Sequence, residues 1–303
     1  MNKIIFDWLS FTSNVYTPQD IIKFLGFQKL PFKETSGAKG YKKRLYYDCV
    51  SIHFDGQTGG IWVELSGQGC RVFETFGTGD YDSLFGLIIA NQDCMNITRL
   101  DLAFDDFEEL LNIDKICYDV VNQNYVSKFN AWECIQTNKG NSVLLGSRTS
   151  ECLIRIYDKA KERGFEDARH WIRIEFQLRR ERALEFITKY QNNDIGYLFN
   201  GILNNYVRFV EPSETDTNKN RWETAEYWQK LLEHSKQISI YEKPGTEYNL
   251  YNLERYCLKQ AGNAVDAYIQ IRGVDGFLKD LEKRGTMENP KYTDLIEKCK
   301  REV

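Results

Sequence analysis

The chain has 303 residues, 42% of them hydrophobic, and a formal net charge of −4. That length and apolar content support a sizeable core in one large or two modest domains. The mild acidity excludes a uniformly basic nucleic-acid coat, so any DNA contact must come from cations gathered locally.

Aromatic residues make up 14% of the chain, which suits an aromatic-rich β core and is also compatible with base stacking. None of the eight cysteines falls in CxxC spacing, which argues against a zinc site and for a reduced cytoplasmic protein with buried thiols. Asp7 interrupts the short apolar start, so no signal peptide is expected. No run approaches the ~18 apolar residues of a membrane span.

Residues 2–12 predict a first strand apolar on both faces, with Phe6 and Trp8 on one and Asp7 and Leu9 on the other. Such a strand belongs in a sheet covered on both sides. Asp7 is then either a solvated edge residue or a site carboxylate. Thr17-Pro18 opens a helix to Leu25. Between Lys29 and Arg44 six cations face one acid, and Ser36–Gly40 reads as a loop. Lys39, Lys42 and Lys43 are its candidate phosphate contacts; an ordinary solvated hairpin tip is the alternative. Strands are expected over 41–56 and 61–66. The following Gly-Gln-Gly reads as a turn in which Arg71 could meet a phosphate. His53 lacks a second histidine nearby and reads as structural. A helix is expected over 81–92.

Residues 97–106 form the next informative strand. Arg99, Asp101, Ala103 and Asp105 share one face, and Leu100, Leu102 and Phe104 the other. After a helix over 114–124 come strands over 130–137 and 142–146. Cys152–Lys159 then places Arg155, Tyr157 and Lys159 on one face. A tyrosine between two cations suits a hydroxyl that ionises and attacks a phosphate, because the cations favour the phenolate. The strand 170–179 turns Arg173, Glu175 and Arg179 to one side. If it forms a hairpin with 152–159, Arg173 and Glu175 lie beside Arg155 and Tyr157. From Arg155 to Arg182 nine cations face six acids, a local excess of +3 in an acidic protein.

Helices follow over 181–190 and 195–203, then a short strand over 206–210. Residues 211–220 have the composition of a linker. Helical patterns run over 221–234, 250–262, 265–271 and 273–283. The fold expected is α+β, an antiparallel sheet covered by helices. It has a first domain over 1–210, with two similar halves at 1–95 and 96–210, and a helical region over 211–303. With three histidines in the chain, acid–base schemes built on histidine are poor. Carboxylates on adjacent strands bind hard divalent ions through oxygen. Asp101 and Glu175, with Asp105 as a further candidate, are therefore the expected ligands of a Mg²⁺ or Mn²⁺ ion, which would polarise a phosphate for attack by Tyr157.

Arg99-Leu-Asp-Leu-Ala-Phe-Asp105, Arg155-Ile-Tyr-Asp-Lys159 and Arg173-Ile-Glu-Phe-Gln-Leu-Arg179, in this order, resemble the rolling-circle replication initiators of plasmids and phages and the related relaxases of integrative conjugative elements. Ser66-Gly-Gln-Gly-Cys-Arg-Val-Phe-Glu74 and the tryptophan-containing stretch Arg221–Leu232 resemble further segments of the same family. The resemblance covers about residues 2 to 240. It implies a fold related to the His-hydrophobic-His (HUH) nicking endonucleases, with carboxylates in place of metal-binding histidines. It also implies that Tyr157 becomes linked to a 5′ phosphate, with Arg155 and Lys159 as phosphate partners. Asp101, Asp105 and Glu175 are then the metal-site acids, and Arg71, Arg99, Arg173 and Arg179 join the lysines in DNA contact. Origin DNA, a host helicase and a second copy of the chain are the implied partners, with no membrane. A conjugative relaxase and a non-catalytic DNA-binding regulator are the alternatives.

Overall fold

The structure, a computed structural model, describes residues 2–57, 59–138, 140–165, 169–233, 257 and 262–284. The helix expected over 250–262 lies largely outside these residues. Two compact units divide between residues 240 and 241, not between 210 and 211. In the second unit a helix spans Gly262–Arg284, broken at Gly273, whose φ of 70° leaves the helical region.

The first unit is built on a ten-stranded antiparallel sheet. Its strands in chain order are β1 (Lys3–Ser13), β2 (Lys33–Ser36), β3 (Tyr41–Tyr47), β4 (Val50–Gly56), β5 (Ile61–Ser66), β6 (Met95–Asp106), β8 (Trp132–Thr137), β9 (Gly140–Leu145), β10 (Cys152–Asp158) and β11 (Ile172–Arg179). Their order across the sheet is β2-β3-β4-β5-β1-β6-β11-β10-β9-β8. A separate pair joins β7 (Tyr125–Ser127) to β12 (Val207–Phe209). The helices are α1 (Pro18–Phe24), α2 (Gly67–Phe76), α3 (Tyr81–Ala90), α4 (Ile113–Val121), α5 (Lys159–Glu162), α6 (Glu181–Tyr190), α7 (Ile195–Tyr206) and α8 (Glu226–Leu231).

Local chemistry accounts for the boundaries. Thr17 and Asp20 form a capping box with Pro18 at the first turn of α1. The single strand expected over 41–56 is a hairpin, because Asp48 and Cys49 both take positive φ (34° and 68°) and turn the chain without a glycine. The Gly-Gln-Gly stretch is the first turn of α2, not a loop. A Cβ at Gly69 would stand 2.3 Å from the Cys49 carbonyl oxygen, so only glycine lets α2 pass this close to the hairpin.

One face of the sheet carries the core. Leu100, Leu102 and Phe104 of β6, Ile154 and Ile156 of β10, and Ile174, Phe176 and Leu178 of β11 pack there with Phe73, Phe85, Ile116, Phe186 and Phe199 of the helices. Burying each such side chain contributes roughly 1.5–3 kcal/mol relative to exposure. The opposite face is not covered as β1 led us to expect. A register shift between Phe6 and Trp8 makes Asp7 an extra residue, a β-bulge. Phe6 and Leu9 therefore both reach the core, while Asp7 and Trp8 both turn to the other face, where they meet Arg173 and Arg99. The apolar character of β1 on both sides is a bulge read as straight alternation.

The segment 211–225 is not a spacer. Arg208 donates to the carbonyls of Trp222 and Asn220 at 2.8 and 3.0 Å, and Val210 bridges Thr224. Trp228 is fully buried against Phe209. These bonds bring residues up to the end of α8 into the first unit.

Candidate active site

The β10–β11 hairpin pairs Arg155 with Glu175 and Tyr157 with Arg173. All four side chains lie on the face opposite the core. Tyr157 donates from Oη to Glu175 Oε1 at 2.5 Å. Lys159 donates from Nζ to the same phenol oxygen at 3.1 Å and pairs with Glu162. Lys159 is not on the strand; it opens the single turn α5, which Asp158 caps by accepting from Lys161 N. That turn folds the ammonium back over the tyrosine. The Arg155 guanidinium lies 3.9 Å from the Tyr157 ring centroid and 3.7 Å from Glu162.

Tyr157 is only 1% exposed, although its face carries polar and charged side chains. Burial, and then the carboxylate of Glu175, push its pKa above the ordinary tyrosine value. The charge of Arg173 opposes the shift without overcoming it, so the resting group is a neutral phenol that donates to a carboxylate. Burial also raises the pKa of Glu175, partly offset by the bond from Tyr157. Arg155 and Tyr157 line a cavity of about 640 Å³ with Glu162, Gln177 and Arg179.

Arg173 is the electrostatic centre of the neighbouring strands. It binds Asp105 twice, at 2.6 and 2.9 Å, and Asp7 at 3.0 Å, and stands 3.7 Å from Glu175. Trp171 Nε1 adds a bond to Asp105 at 2.6 Å. Burial works against the charge of Arg173, but Asp105 and Asp7 more than offset it and hold the guanidinium ionised. Asp105 is 0% exposed and accepts all three of these bonds. Arg173 and Asp105 thus form a buried clamp. Asp101 lies four residues before Asp105 on β6. It takes both bonds from Arg99, at 2.8 and 2.5 Å, and Arg99 lies 4.2 Å from the ring centroid of Trp8. Burial raises the pKa of Asp101 to about 6; Arg99 opposes the shift, while Glu175 and Asp7 add to it.

The expected DNA contacts are scattered. Arg71 donates to the Phe6 carbonyl at 2.7 Å and to Glu74 at 2.6 Å, so it braces the bulge that aims Asp7. Arg179 caps the Arg148 carbonyl at 2.6 Å and holds Gln177. Lys39 sits 4.0 Å over the Trp62 ring, and Lys43 pairs with Glu34 at 3.3 Å. Lys42 is exposed on β3. The basic arm is thus a β2–β3 hairpin at the sheet edge. From sequence alone Asp7 is either an edge residue or a site carboxylate, and Glu162, Trp171, Trp8 and Trp62 carry no role. A carboxylate inside an apolar strand was the available signal for Asp7. The three tryptophans lacked one, because their partners Asp105, Arg99 and Lys39 are distant in the chain, and Glu162 meets Lys159 and Arg155 only through the turn of α5.

A divalent ion needs oxygen donors. Asp105 is wholly buried and accepts three bonds from Arg173 and Trp171, where Asp101 accepts two, both from Arg99. Asp101, Glu175 and Asp7 fit by chemistry: each lies near enough to oppose ionisation of another, a repulsion that a cation relieves. Among the described residues no group of three such side chains stands ready as a metal cage.

Residues 95–281 match the replication initiation factor family, and residues 3–89 match the N-terminal domain of rolling circle replication initiation proteins. A Bacillus subtilis (strain 168) protein described as "Putative DNA relaxase NicK" is 27% identical over 236 residues, covering 71% of this chain and 66% of that protein. The structure of a rolling circle replication initiator protein from Geobacillus stearothermophilus superposes with a TM-score of 0.72 at 27% identity, covering 78% of this chain and 99% of that one.

Proposed function

We propose that this chain, which belongs to the replication initiation factor family, nicks one DNA strand at an origin and reseals it through Tyr157. The observation that carries the reading is the phenol held between a carboxylate at 2.5 Å and an ammonium at 3.1 Å. Glu175 takes the proton as Tyr157 Oη attacks phosphorus. The new bond joins the 5′ phosphate to tyrosine, and the bond to the 3′ oxygen breaks; that oxygen takes a proton from water and leaves as a 3′ hydroxyl. Lys159 stabilises the phenol oxygen as its charge develops and again when it leaves during resealing. Arg155, stacked on the ring and facing the cavity, meets the phosphate. The link conserves the energy of the phosphodiester, so a 3′ hydroxyl can displace the tyrosine later.

Asp101, Glu175 and Asp7 would hold a Mg²⁺ or Mn²⁺ ion here, which supplies Lewis-acid stabilisation of the phosphate charge when bound. Arg173 and Asp105 lock the strands that present these groups. On the same reading the chain works in the cytoplasm with origin DNA, a host helicase and a second copy of itself. A conjugative relaxase, favoured by the similarity to the Bacillus protein, uses the same steps at an origin of transfer.

The test is a covalent adduct. Wild type with supercoiled DNA carrying its own origin and Mn²⁺ gives nicked circles bound to protein on a denaturing gel, and Tyr157→Phe gives none. Equal nicking by the two proteins overturns the nucleophile, and nicking in excess chelator overturns the metal.

A further inference from the structure

The strand order repeats about the centre of the sheet. β1 and β6 meet antiparallel, and the order runs outward as β5-β4-β3-β2 from one and β11-β10-β9-β8 from the other. The irregularities repeat as well, with Asp7 the extra residue on β1 and Thr98 on β6. Counted from these bulges, Thr12 corresponds to Ala103, so their sheet neighbours Trp62 and Glu175 correspond. The next neighbours outward are His53 and Arg155. Where the second half holds the acceptor for its tyrosine, the first half holds an indole on an imidazole.

His53 and Trp62 stack at 4.6 Å with 22° between planes, and Ala38 N donates to His53 Nδ1 at 3.3 Å. Burial, then Arg44 and Lys39, bring the His53 pKa down to about 4, so the ring is neutral and donates no charge to the stack. Beside this stack lies a cleft of about 430 Å³ lined by Trp8, Lys39, Trp62, Glu64, Arg99 and Arg179, among others. Lys39 and Arg99 lie over the two indole rings at 4.0 and 4.2 Å. Two aromatic faces, three cations and one carboxylate are the groups that hold a single strand: rings for bases, cations for phosphates, a carboxylate for a base amino group. The volume suits an unstacked nucleotide, not a duplex. Arg179 also lines the cavity that holds Tyr157, so one side chain borders both sites.

We propose that this cleft binds an unstacked nucleotide of the nicked strand, with its base against Trp62 and Trp8, its flanking phosphates on Lys39 and Arg179, and Glu64 accepting from the base edge. The proposal deepens the nicking reading and rests on it for the identity of the strand. In these terms one half of the repeated sheet cuts the strand and the other half grips it. Lys39 gives up its ring contact to a phosphate as the base enters; it stands at the turn of the β2–β3 hairpin with φ 53°.

The experiment uses the full chain carrying Tyr157→Phe and a short single-stranded oligonucleotide with 5-iododeoxyuridine at successive positions. Irradiation followed by peptide mass mapping is expected to place adducts on Trp8 or Trp62. By anisotropy, the pair Lys39→Ala and Glu64→Gln, which leaves the indoles packed, binds the oligonucleotide about ten-fold more weakly. A free deoxynucleoside monophosphate and a duplex of the same sequence compete poorly. Adducts confined to other peptides, unchanged affinity in the double variant, or equal competition by the duplex or the free nucleotide each overturn the proposal. The two readings fail separately. If Trp62 crosslinks but the wild type forms no adduct with its origin, the nicking reading falls and the cleft stands. If the adduct forms and crosslinks map elsewhere, only the cleft falls.

Discussion

Tyr157 and Glu175 share a hydrogen bond of 2.5 Å between adjacent strands, although they are not direct partners in the ladder. The bond leaves the nucleophile protonated at rest and places its proton acceptor in contact before DNA arrives. Substituting Glu175 by Gln keeps the shape and removes the acceptor. The nicking rate is expected to fall by about 10²–10⁴, while affinity for DNA stays close to wild type. Single-turnover nicking beside filter binding checks this; equal rates would remove Glu175 from the proton transfer.

The same bond sets a pH dependence. Glu175 must be ionised to accept the proton, and burial raises its pKa above the ordinary 4.5. The nicking rate should therefore rise with pH through a value above that figure and be lost as pH falls through it. A rate that stays flat down to 4.5 contradicts the assignment.

Asp101 makes a stability prediction of definite sign. Its folded pKa of about 6 lies above the ordinary 3.8. The fold therefore favours the protonated acid, a contribution fully present below 3.8 and lost as pH rises through about 6. Asp101→Asn removes the titration. The difference in unfolding free energy between wild type and Asp101→Asn should change by on the order of 3 kcal/mol across that window, in the direction that favours the variant at higher pH. Urea unfolding at a series of pH values measures it.

Arg173 should behave as a clamp. Arg173→Met leaves Asp105 buried without a counter-charge, and the expected cost is about 3–5 kcal/mol. Chemical denaturation reads this directly. A variant of wild-type stability that has lost only DNA affinity would restore Arg173 to the list of DNA contacts.

Arg71 separates two readings of one residue. As a phosphate contact, Arg71→Ala would weaken DNA binding and reduce its salt dependence. As the brace of the Phe6 carbonyl, it should leave both nearly unchanged and slow nicking through a displaced Asp7. Binding measured against salt, alongside nicking rates, tells the two apart.

Much of this molecule was legible from the order of its residues. The alternation in 99–106, 152–158 and 172–179 placed the core and site faces of β6, β10 and β11 as they stand, whereas the extra residue Thr98 puts Ile97 in the core against that parity. Side-chain direction in a regular strand depends only on parity. Tyr157, Arg155 and Glu175 could be brought together on that basis, because a hairpin makes neighbours of residues close in the chain.

Tertiary structure decided what parity cannot express. A bulge adds one residue and reverses the faces beyond it, so Asp7 and Trp8 could be placed only once β1 lay between β5 and β6. The partner of each charge was equally hidden: Asp105 meets Arg173 sixty-eight positions away, and Asp7 meets it from 166. Those pairings join an expected metal ligand and an expected DNA contact in one buried clamp. Burial reversed the expected ionisation of Tyr157, since taking a phenol out of water beside a carboxylate outweighs the opposing charge of Arg173. Composition and periodicity carry the identity of the chemical groups; which of them share a low-dielectric space is a property of the folded chain.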